Sequence, residues 1–428
     1  MANAFNKEER VAFEIILEGF DDALVLSNAV SIYGTDQTMM ERTNNTIWRP
    51  QPYIARSYSG TDMTSNFGDY TQLSVPATIG FSKAVPWKMS ATELRDALQE
   101  NRLGDAAYQK LASDINVSVT NVASNQGTVV VTRTGAASGY DDVAEIDAAF
   151  NEIGIPMNDR HLALSSRDYN GMASNLSVAP RSFAGQKSVS AYERSLVGDV
   201  AGFTTMKLDY ANRINAAAGG GSITIDTRAQ ASGQHWTPKA TSTATTGEVN
   251  NYDNRYQTVT VSSTTNVAAG DCFTIAGVNA VHHITKADTG QLKTFRVISV
   301  VDGSSMVISP PIISNQDGTP DDASASYKNC EVVTAASNSA ITFINYDAAN
   351  INCFWHKDAI ELLPGRYAVP GDAGADVMRG TTDNGIEVVM QKQYDIDTML
   401  TKYRLDCLYG VVNKQPEMTG ILLFGQTP

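Results

Sequence analysis

Few residues of this chain have the types and spacing that catalysis or metal binding requires. His282 and His283 are adjacent, and adjacent side chains of a strand point to opposite faces, so the two rings could not share one metal ion. Residues 315–322, NQDGTPDD, hold three carboxylates around a glycine, as calcium loops do. Pro320 and the missing downstream glutamate break that loop spacing. A surface strand and a solvated turn are the favoured interpretations.

The motifs of common enzymes are also missing. The sequence has no GxSxG elbow, no HExxH, no GxxxxGK[ST] and no GxGxxG that opens a helix. Trp236, Trp355 and His356 could suggest sugar binding, but single tryptophans beside strands are more often core anchors. We therefore predict no catalytic residues, no cofactor and no metal, and hence no enzyme. A hydrolase without a recognisable motif stays an alternative.

Four cysteines, Cys272, Cys330, Cys353 and Cys407, lie far apart in the chain. This spacing is typical neither of a disulfide framework nor of a CxxC metal or redox unit. We predict four free thiols.

The charge balance argues against a surface that holds nucleic acid. The formal net charge is −14 and the Lys and Arg residues form no cluster, whereas phosphate binding requires one. A negative net charge suits a protein that surrounds DNA without adhering to it. A negative net charge is also common in cytoplasmic proteins, where it keeps them soluble.

The length of 428 residues, with 42% hydrophobic residues, predicts two or more domains. No apolar run approaches the ~18 residues of a spanning helix, and the start, MANAFNKEER, lacks the order of a secretory signal. We expect no membrane association and a cytoplasmic site of synthesis.

Helical spacing marks two segments. Asn6 and Glu9 suit a capping box, and an apolar stripe follows at Phe13, Ile16, Leu17, Phe20 and Leu24. A second box, Ser90 and Glu93, begins a helix that should end at Gly127, span roughly 50 Å and bend at Gly104. Between them, residues 53–87 predict a long hairpin with alternation at Leu73, Val75, Ala77, Ile79 and Phe81.

The middle of the chain mixes both element types. Residues 129–132 and 161–164 predict strands, and residues 142–153, 166–176 and 190–198 predict helices. From about residue 222 to residue 343 the sequence is rich in alternating Thr and Val, which predicts a separate all-β unit with Gly219 to Gly221 as its hinge. Helical or mixed character should return near Ile344.

Several segments carry a resemblance to one family. Residues 386–423 predict two paired strands similar to the closing segment of phage major capsid proteins. The stretches NNTIWRPQ (44–51), DNRYQTVTVSSTTNVAAGD (253–271), TFRVISVVDGSSMVISP (294–310) and NCFWHKDAIELLP (352–364) resemble, in the same order, the coat proteins of the short-tailed Salmonella phage type.

The resemblance implies an α+β fold like that of the Hong Kong 97 capsid subunit, with an inserted all-β I-domain. Its parts would be an N-terminal arm, an E-loop hairpin region, a spine helix, the first part of the A-domain, the I-domain, and an A/P-domain return with the C-terminal strands. They would occupy residues 1–52, 53–89, 90–127, 128–221, 222–343 and 344–428 in turn. For the first helix, an arm that reaches neighbouring subunits and an ordinary core-packed helix stay open.

The implied function is that of a major capsid protein of the virion. Copies would form the pentamers and hexamers of an icosahedral shell with a scaffolding protein and a portal protein, and would enclose double-stranded DNA without sequence-specific binding. Assembly would take place in the host bacterial cytoplasm. The alternative is a β-rich decoration protein or adhesin that binds glycan or a receptor.

The family's I-domain carries an extended loop with acidic residues that reaches a neighbouring capsomer. The matching stretch here is residues 239–255, and its tip, residues 241–247, has no charged side chain. Any contact through this tip should use backbone and hydroxyl hydrogen bonds.

Overall fold

The structure is a computed structural model, and it describes residues 7–34, 46–52, 55, 57–64, 67–68, 70–90, 92–93, 97–177, 191, 193–219, 223–228, 234–314, 322–369 and 374–428. The chain divides into two compact units. The first combines Met1–Ile47, Pro76–Thr120 and Ile360–Val412, and the second combines Trp48–Val75, Asn121–Ala359 and Asn413–Pro428. Each unit is therefore built from three separate stretches of sequence.

Within these ranges the α-helices are α1 (Lys7–Ala23), α2 (Ala97–Gln126), α3 (Tyr140–Ile153), α4 (Ser166–Ser177) and α5 (Asp322–Tyr327). Short 3-10 turns occupy Ser27–Ala29 and Pro416–Met418. Helix α3 shows why such a segment begins and ends where it does. The Asp142 carboxylate accepts the N–H groups of Ser138 and Gly139 at its start, and Gly154 takes a left-handed conformation at its end.

The strands fall into three groups along the chain. Before the inserted region they are β1 (Ser31–Ile32), β2 (Thr46–Pro50), β3 (Ser74–Thr78), β4 (Phe81–Ser90), β5 (Val129–Thr132), β6 (Arg160–Ser165), β7 (Asp199–Val200), β8 (Phe203–Leu208) and β9 (Arg213–Ile214). Within it they are β10 (Thr224–Ile225), β11 (Thr241–Thr243), β12 (Val249–Asn251), β13 (Gln257–Thr260), β14 (Cys272–Val281), β15 (Asp288–Val300), β16 (Ser305–Ser309), β17 (Cys330–Val332) and β18 (Ser339–Phe343). After it come β19 (Ala349–Asn350), β20 (Asn352–His356), β21 (Ile360–Pro364), β22 (Asp376–Thr381), β23 (Glu387–Asp395), β24 (Leu400–Asn413) and β25 (Thr419–Leu423).

The first unit contains a six-stranded sheet in the order β1-β21-β24-β23-β22, with β4 also paired to β24. The predicted pairing near the C-terminus is confirmed, because β23 and β24 run antiparallel with Val388 opposite Cys407. Helix α2 is attached to this sheet by Tyr409, whose hydroxyl lies 2.9 Å from that of Ser118 and donates to the Asp114 carbonyl.

Helix α1 packs its apolar stripe inside the first unit. Phe13, Ile16, Phe20 and Leu24 are all buried. A Cβ on Gly104 of α2 would lie 2.6 Å from the Ile16 side chain, so that glycine allows a close helix contact. Helix α2 continues through Gly104, where a bend stays a prediction. The buried stripe favours the core-packed alternative for this helix over a free arm.

The second unit holds a six-stranded sheet in the order β5-β25-β20-β6-β8-β7. Helices α3 and α4 contribute Val143, Ile146, Phe150 and Met172 to the core that covers it. The predicted strand at residues 129–132, the helix at 142–153 with its three inward residues, and the helix at 166–176 are confirmed. Of the predicted helix at 190–198, residues 195–198 are not helical.

The inserted region forms a seven-stranded antiparallel sheet in the order β10-β18-β14-β15-β16-β13, with β17 paired to β14. Alternate residues of a strand point to the same face of the sheet. This alternation places Phe273, Ile275, Phe295, Val297 and Ile308 in its core. Helix α5 interrupts the strands, which the sequence did not predict, because six residues are too few to show a helical period.

Two other expectations differ from the structure. Residues 53–87 do not form one hairpin: β3 pairs with β2, and β4 pairs with β24. The alternation of β3 is nevertheless as predicted, since Leu73, Val75 and Ala77 are buried. No helix returns near Ile344, because residues 352–364 form the buried strands β20 and β21, and a strand buried on both faces lacks the alternation that would reveal it.

The two predicted capping boxes have different outcomes. Ser90 and Glu93 form theirs, with the Ser90 N–H donating to the Glu93 carboxylate at 2.8 Å. The described part of α2 ends before Gly127, as predicted, but it begins at Ala97, and Ser90 is the last residue of β4. Asn6 of the first box, Gly220 and Gly221 of the hinge, and residues 315–321 of the acidic stretch lie outside the described residues.

Candidate assembly surfaces

The two neighbouring histidines lie in the turn between β14 and β15, and not in a strand as predicted. The backbone N–H of His283 donates to the Ile153 carbonyl at 2.6 Å, and the His282 ring occupies the space beside Gly154. Burial is the main cause that lowers the pKa of His283. The pair therefore packs the turn against the end of α3.

Chemistry by thiols or by a metal ion finds little support in the described ranges. The four cysteines are free and buried, and burial raises the pKa of Cys272 to about 11 and those of Cys330, Cys353 and Cys407 to about 12. Such thiols are poor nucleophiles. In the same ranges no group of three or more His, Cys, Asp or Glu side chains could hold a metal ion.

The candidate sugar-binding aromatics are structural. Trp355 is buried in β20, and the Trp236 ring packs against that of Tyr252 in a tilted arrangement with ring centroids 5.6 Å apart. Among the described helices, none has the length and apolar character needed to cross a bilayer.

In the hairpin of β11 and β12 every strand residue is exposed except the half-buried Ser242. Thr241 lies opposite Asn251 and Thr243 opposite Val249, and within the described chain these two strands pair only with each other. The Gly247 N–H donates to the Ala244 carbonyl and closes the turn at a positive φ of 90°. Isolated two-stranded hairpins are marginally stable in water, so this one depends on its base.

The base of the hairpin is held by Asn254. Its amide donates to the Lys239 carbonyl at 2.7 Å and its amide oxygen accepts the Lys239 N–H at 3.0 Å. The tilted ring pair of Trp236 and Tyr252 lies beside it, with the Lys239 ammonium 5.8 Å from the Trp236 ring. These contacts hold the base of the hairpin, and beyond it residues 241 and 243–247 are exposed.

Helix α1 presents a second exposed surface. Opposite its buried stripe, Val11 is 48% and Ile15 is 58% exposed, and Glu14 and Glu18 are exposed beside them. Residues four apart on a helix lie on one face. The result is an apolar pair flanked by carboxylates.

The segment between β2 and β3 forms a third surface. Its ends are joined where the Gln51 N–H donates to the Leu73 carbonyl at 2.9 Å. Between them Tyr58, Phe67 and Tyr70 are exposed, Phe67 to 87%. Exposed aromatic side chains are enriched at protein interfaces.

Three exposed surfaces of this type are typical of a protein that binds copies of itself. Comparison with known families shows what kind of protein it is. A family model described as "P22 coat protein - gene protein 5" matches residues 1–425. The chain belongs to this coat-protein family. The α+β fold of Hong Kong 97 type with an inserted β-domain, predicted from the sequence, is thereby confirmed.

Solved structures of phage capsids are similar to this coat protein. One from Mycobacterium phage Che8 is 9% identical, covers 93% of this chain and 90% of its own, and has a TM-score of 0.43. The mature capsid of bacteriophage PhiM1 is 8% identical over 94% of this chain and 86% of its own, with a TM-score of 0.42. The CUS-3 coat protein I-domain is 40% identical over 29% of this chain and 96% of its own, with a TM-score of 0.21.

This coat protein is a major capsid protein that forms the icosahedral shell of a phage, as the sequence predicted. Family membership implies a structural role and not an enzymatic one, and self-assembly into the virion capsid. The alternative of an adhesin or decoration protein is not supported.

Sequence reasoning missed the polar contacts that β15 makes outside its own sheet. The Thr294 hydroxyl donates to the Thr128 carbonyl at 2.7 Å, and the buried Arg296 donates to the Gly127 carbonyl at the end of α2. Lys293 pairs with Glu417. The sequence does contain one sign of these contacts, because the charged residues Lys293 and Arg296 lie in a strand that is otherwise apolar enough to be buried.

Proposed function

We propose that copies of this coat protein assemble with a scaffolding protein, as pentamers and hexamers, into a procapsid that later encloses double-stranded DNA and connects to a portal protein. Assembly takes place in the host bacterial cytoplasm, and no catalytic step is involved. The domain limits are those given from the sequence, with the inserted β-domain at residues 222–343.

The observation that carries this proposal is the exposed hairpin of β11 and β12. A hairpin that is anchored at Asn254 and exposed on both strands contributes little to the core of its own subunit. It is suited to contact a neighbouring capsomer through Thr and Ser hydroxyls and backbone groups. Exposed ion pairs contribute only about 0–1 kcal/mol each. The absence of charged side chains from the hairpin tip therefore reduces the affinity between subunits only slightly.

The scaffolding protein should bind the outer face of α1. Val11 and Ile15 supply apolar area, and Glu14 and Glu18 supply negative charge. A partner helix with an apolar stripe and basic neighbours would match this surface. The inner face of α1 is already occupied by its own subunit.

Electron microscopy of particles made with and without the scaffolding protein of the same phage tests the proposal. We expect uniform closed shells only with scaffolding protein, and their loss in Ile15→Asp but not in Val25→Asp, an equally exposed position beyond the helix. Uniform shells without scaffolding protein, or from Ile15→Asp, would show that α1 has no such role.

A further inference from the structure

A cavity of about 240 Å³ lies within the second unit. Much of its wall is apolar, formed by Leu73, Ile155, Pro310, Pro311, Ile313 and Met418. Pockets for drug-sized ligands measure ~300–1,000 Å³, so this cavity suits a smaller molecule.

Charged side chains also line the cavity. Lys286, from the turn between β14 and β15, lines it together with Lys328 and Glu417. The Lys286 ammonium donates to the Lys328 carbonyl at 3.0 Å, and this is its one hydrogen bond to the described chain. An ammonium has three N–H donors, so two remain for a ligand.

The neighbouring charges are already paired. Lys293 holds Glu417 at 2.5 Å, and Lys328 holds Glu331. Among the described residues, Lys286 therefore forms no salt bridge with a carboxylate. Burial is the main cause that lowers the pKa of Lys286 to about 8; the charge of Glu417 raises it, and the charges of Lys293 and Lys328 lower it. An anion bound beside the Lys286 ammonium would stabilise its charged form, which burial and the neighbouring lysines disfavour.

The other strong cation in the wall is not available. Arg255 is bound to Asp253 at 2.7 Å and donates to the Asn413 carbonyl at 2.8 Å. A single anionic group is thus expected at the Lys286 end, with the rest of a ligand against proline and isoleucine side chains.

We propose that this cavity binds an amphipathic anion, with one carboxylate or phosphate group at the Lys286 ammonium and a compact apolar body between Ile155, Pro311 and Ile313. Because segments before β3, in the β14–β15 turn and after β24 all line the cavity, bound ligand would stabilise this unit by mass action. The lining also includes Asn254, which anchors the hairpin of β11 and β12.

Calorimetric titration of the unassembled full-length subunit with octanoate tests this site. We expect saturable binding to the natural protein and to Lys286→Arg, and binding at least about tenfold weaker to Lys286→Met, as loss of a charged hydrogen bond predicts. Lys207→Met, an exposed lysine of the same unit, is the matched control and should bind normally. Thermal unfolding of each variant verifies that it is folded.

The ligand series separates the two parts of the site. Octanol lacks the charge and acetate lacks the apolar body, and each should bind much more weakly than octanoate. Octyl phosphate distinguishes a phosphate from a carboxylate head group, and tighter binding by either supports the site. The proposal is overturned by the absence of saturable octanoate binding, by equal binding to Lys286→Met, or by octanol binding as tightly as octanoate.

Discussion

The backbone N–H of Ala217 donates to the carbonyl of Asn345 at 2.8 Å. These residues lie just before and just after the inserted β-region, so its two connections run side by side. The Asn345 side chain, itself fully buried, also bonds Asp271 and Asn215. An insertion whose ends meet can fold without distorting the domain that contains it.

The first prediction follows from the closeness of the two ends of the inserted region. The fragment of residues 222–343 should fold alone as a β-domain, because its seven strands pair with each other and enclose a core of their own. Its amide NMR spectrum should show the dispersed signals of strands. A collapsed spectrum would mean that the contacts of Lys293, Thr294 and Arg296 outside the fragment are required for folding.

The second prediction concerns the packing of α1 on the first unit. A Cβ at Gly380 in β22 would lie 2.9 Å from the Phe13 ring and 2.8 Å from Leu17. Gly380→Val should therefore reduce the free energy of unfolding by about 1–3 kcal/mol, as overpacking does. Gly34→Val is the control, because nothing lies within 4 Å of its added Cβ.

The same packing predicts that deletion of residues 1–20 destabilises the subunit. The deletion removes Phe13, Ile16 and Phe20 from the core. If instead the shortened chain melted like the natural one in thermal denaturation and failed only in assembly, the arm interpretation of this helix would be correct.

The third prediction is a loss of stability in acid. Neither ring nitrogen of His161 has a hydrogen-bond partner in the described chain, and burial, with the charge of Lys357, lowers its pKa from 6.5. The unfolded chain then binds a proton that the folded chain does not, so stability is full above about pH 6.5 and declines below it. Burial lowers the pKa of His356 in the same direction.

Denaturant titrations at several pH values between about 5 and 8 check this dependence. His161→Phe should give a shallower loss of unfolding free energy in acid than the natural protein. An unchanged slope would mean that His161 does not contribute to the dependence.

The fourth prediction uses the charge balance. With a net charge of −14, the dissociated subunit should bind duplex DNA only weakly in a gel-shift assay. Tight binding that falls steeply with salt would instead reveal a phosphate-binding surface.

The sequence predicted elements well where local pattern and tertiary packing agree. The stripe of α1, the end of α2 at Gly127 and the pairing of β23 with β24 are examples, because amphipathic period and turn residues determine them locally. It failed for β20 and β21, where burial on both faces removes the alternation. It also failed for the partner of β4, which lies more than 300 residues away in β24.

The candidate surfaces were predicted unevenly for the same reason. The uncharged tip of the hairpin is a property of sequence and was predicted directly. Its anchor at Asn254 was not, since a hydrogen bond between Asn254 and Lys239 leaves no periodic trace. Lys286 was also missed, because its importance depends on which carboxylates Lys293 and Lys328 already hold.

The most direct test of the central claim measures shell yield by sedimentation for a variant whose residues 241–251 are replaced by a short Gly-Ser link. We predict a folded subunit with strongly reduced shell yield, while Glu248→Gln assembles normally and the natural protein keeps its yield when NaCl rises from about 0.1 to about 1 M. Normal shell yield from the replaced hairpin would contradict the account, as would collapse of assembly in salt.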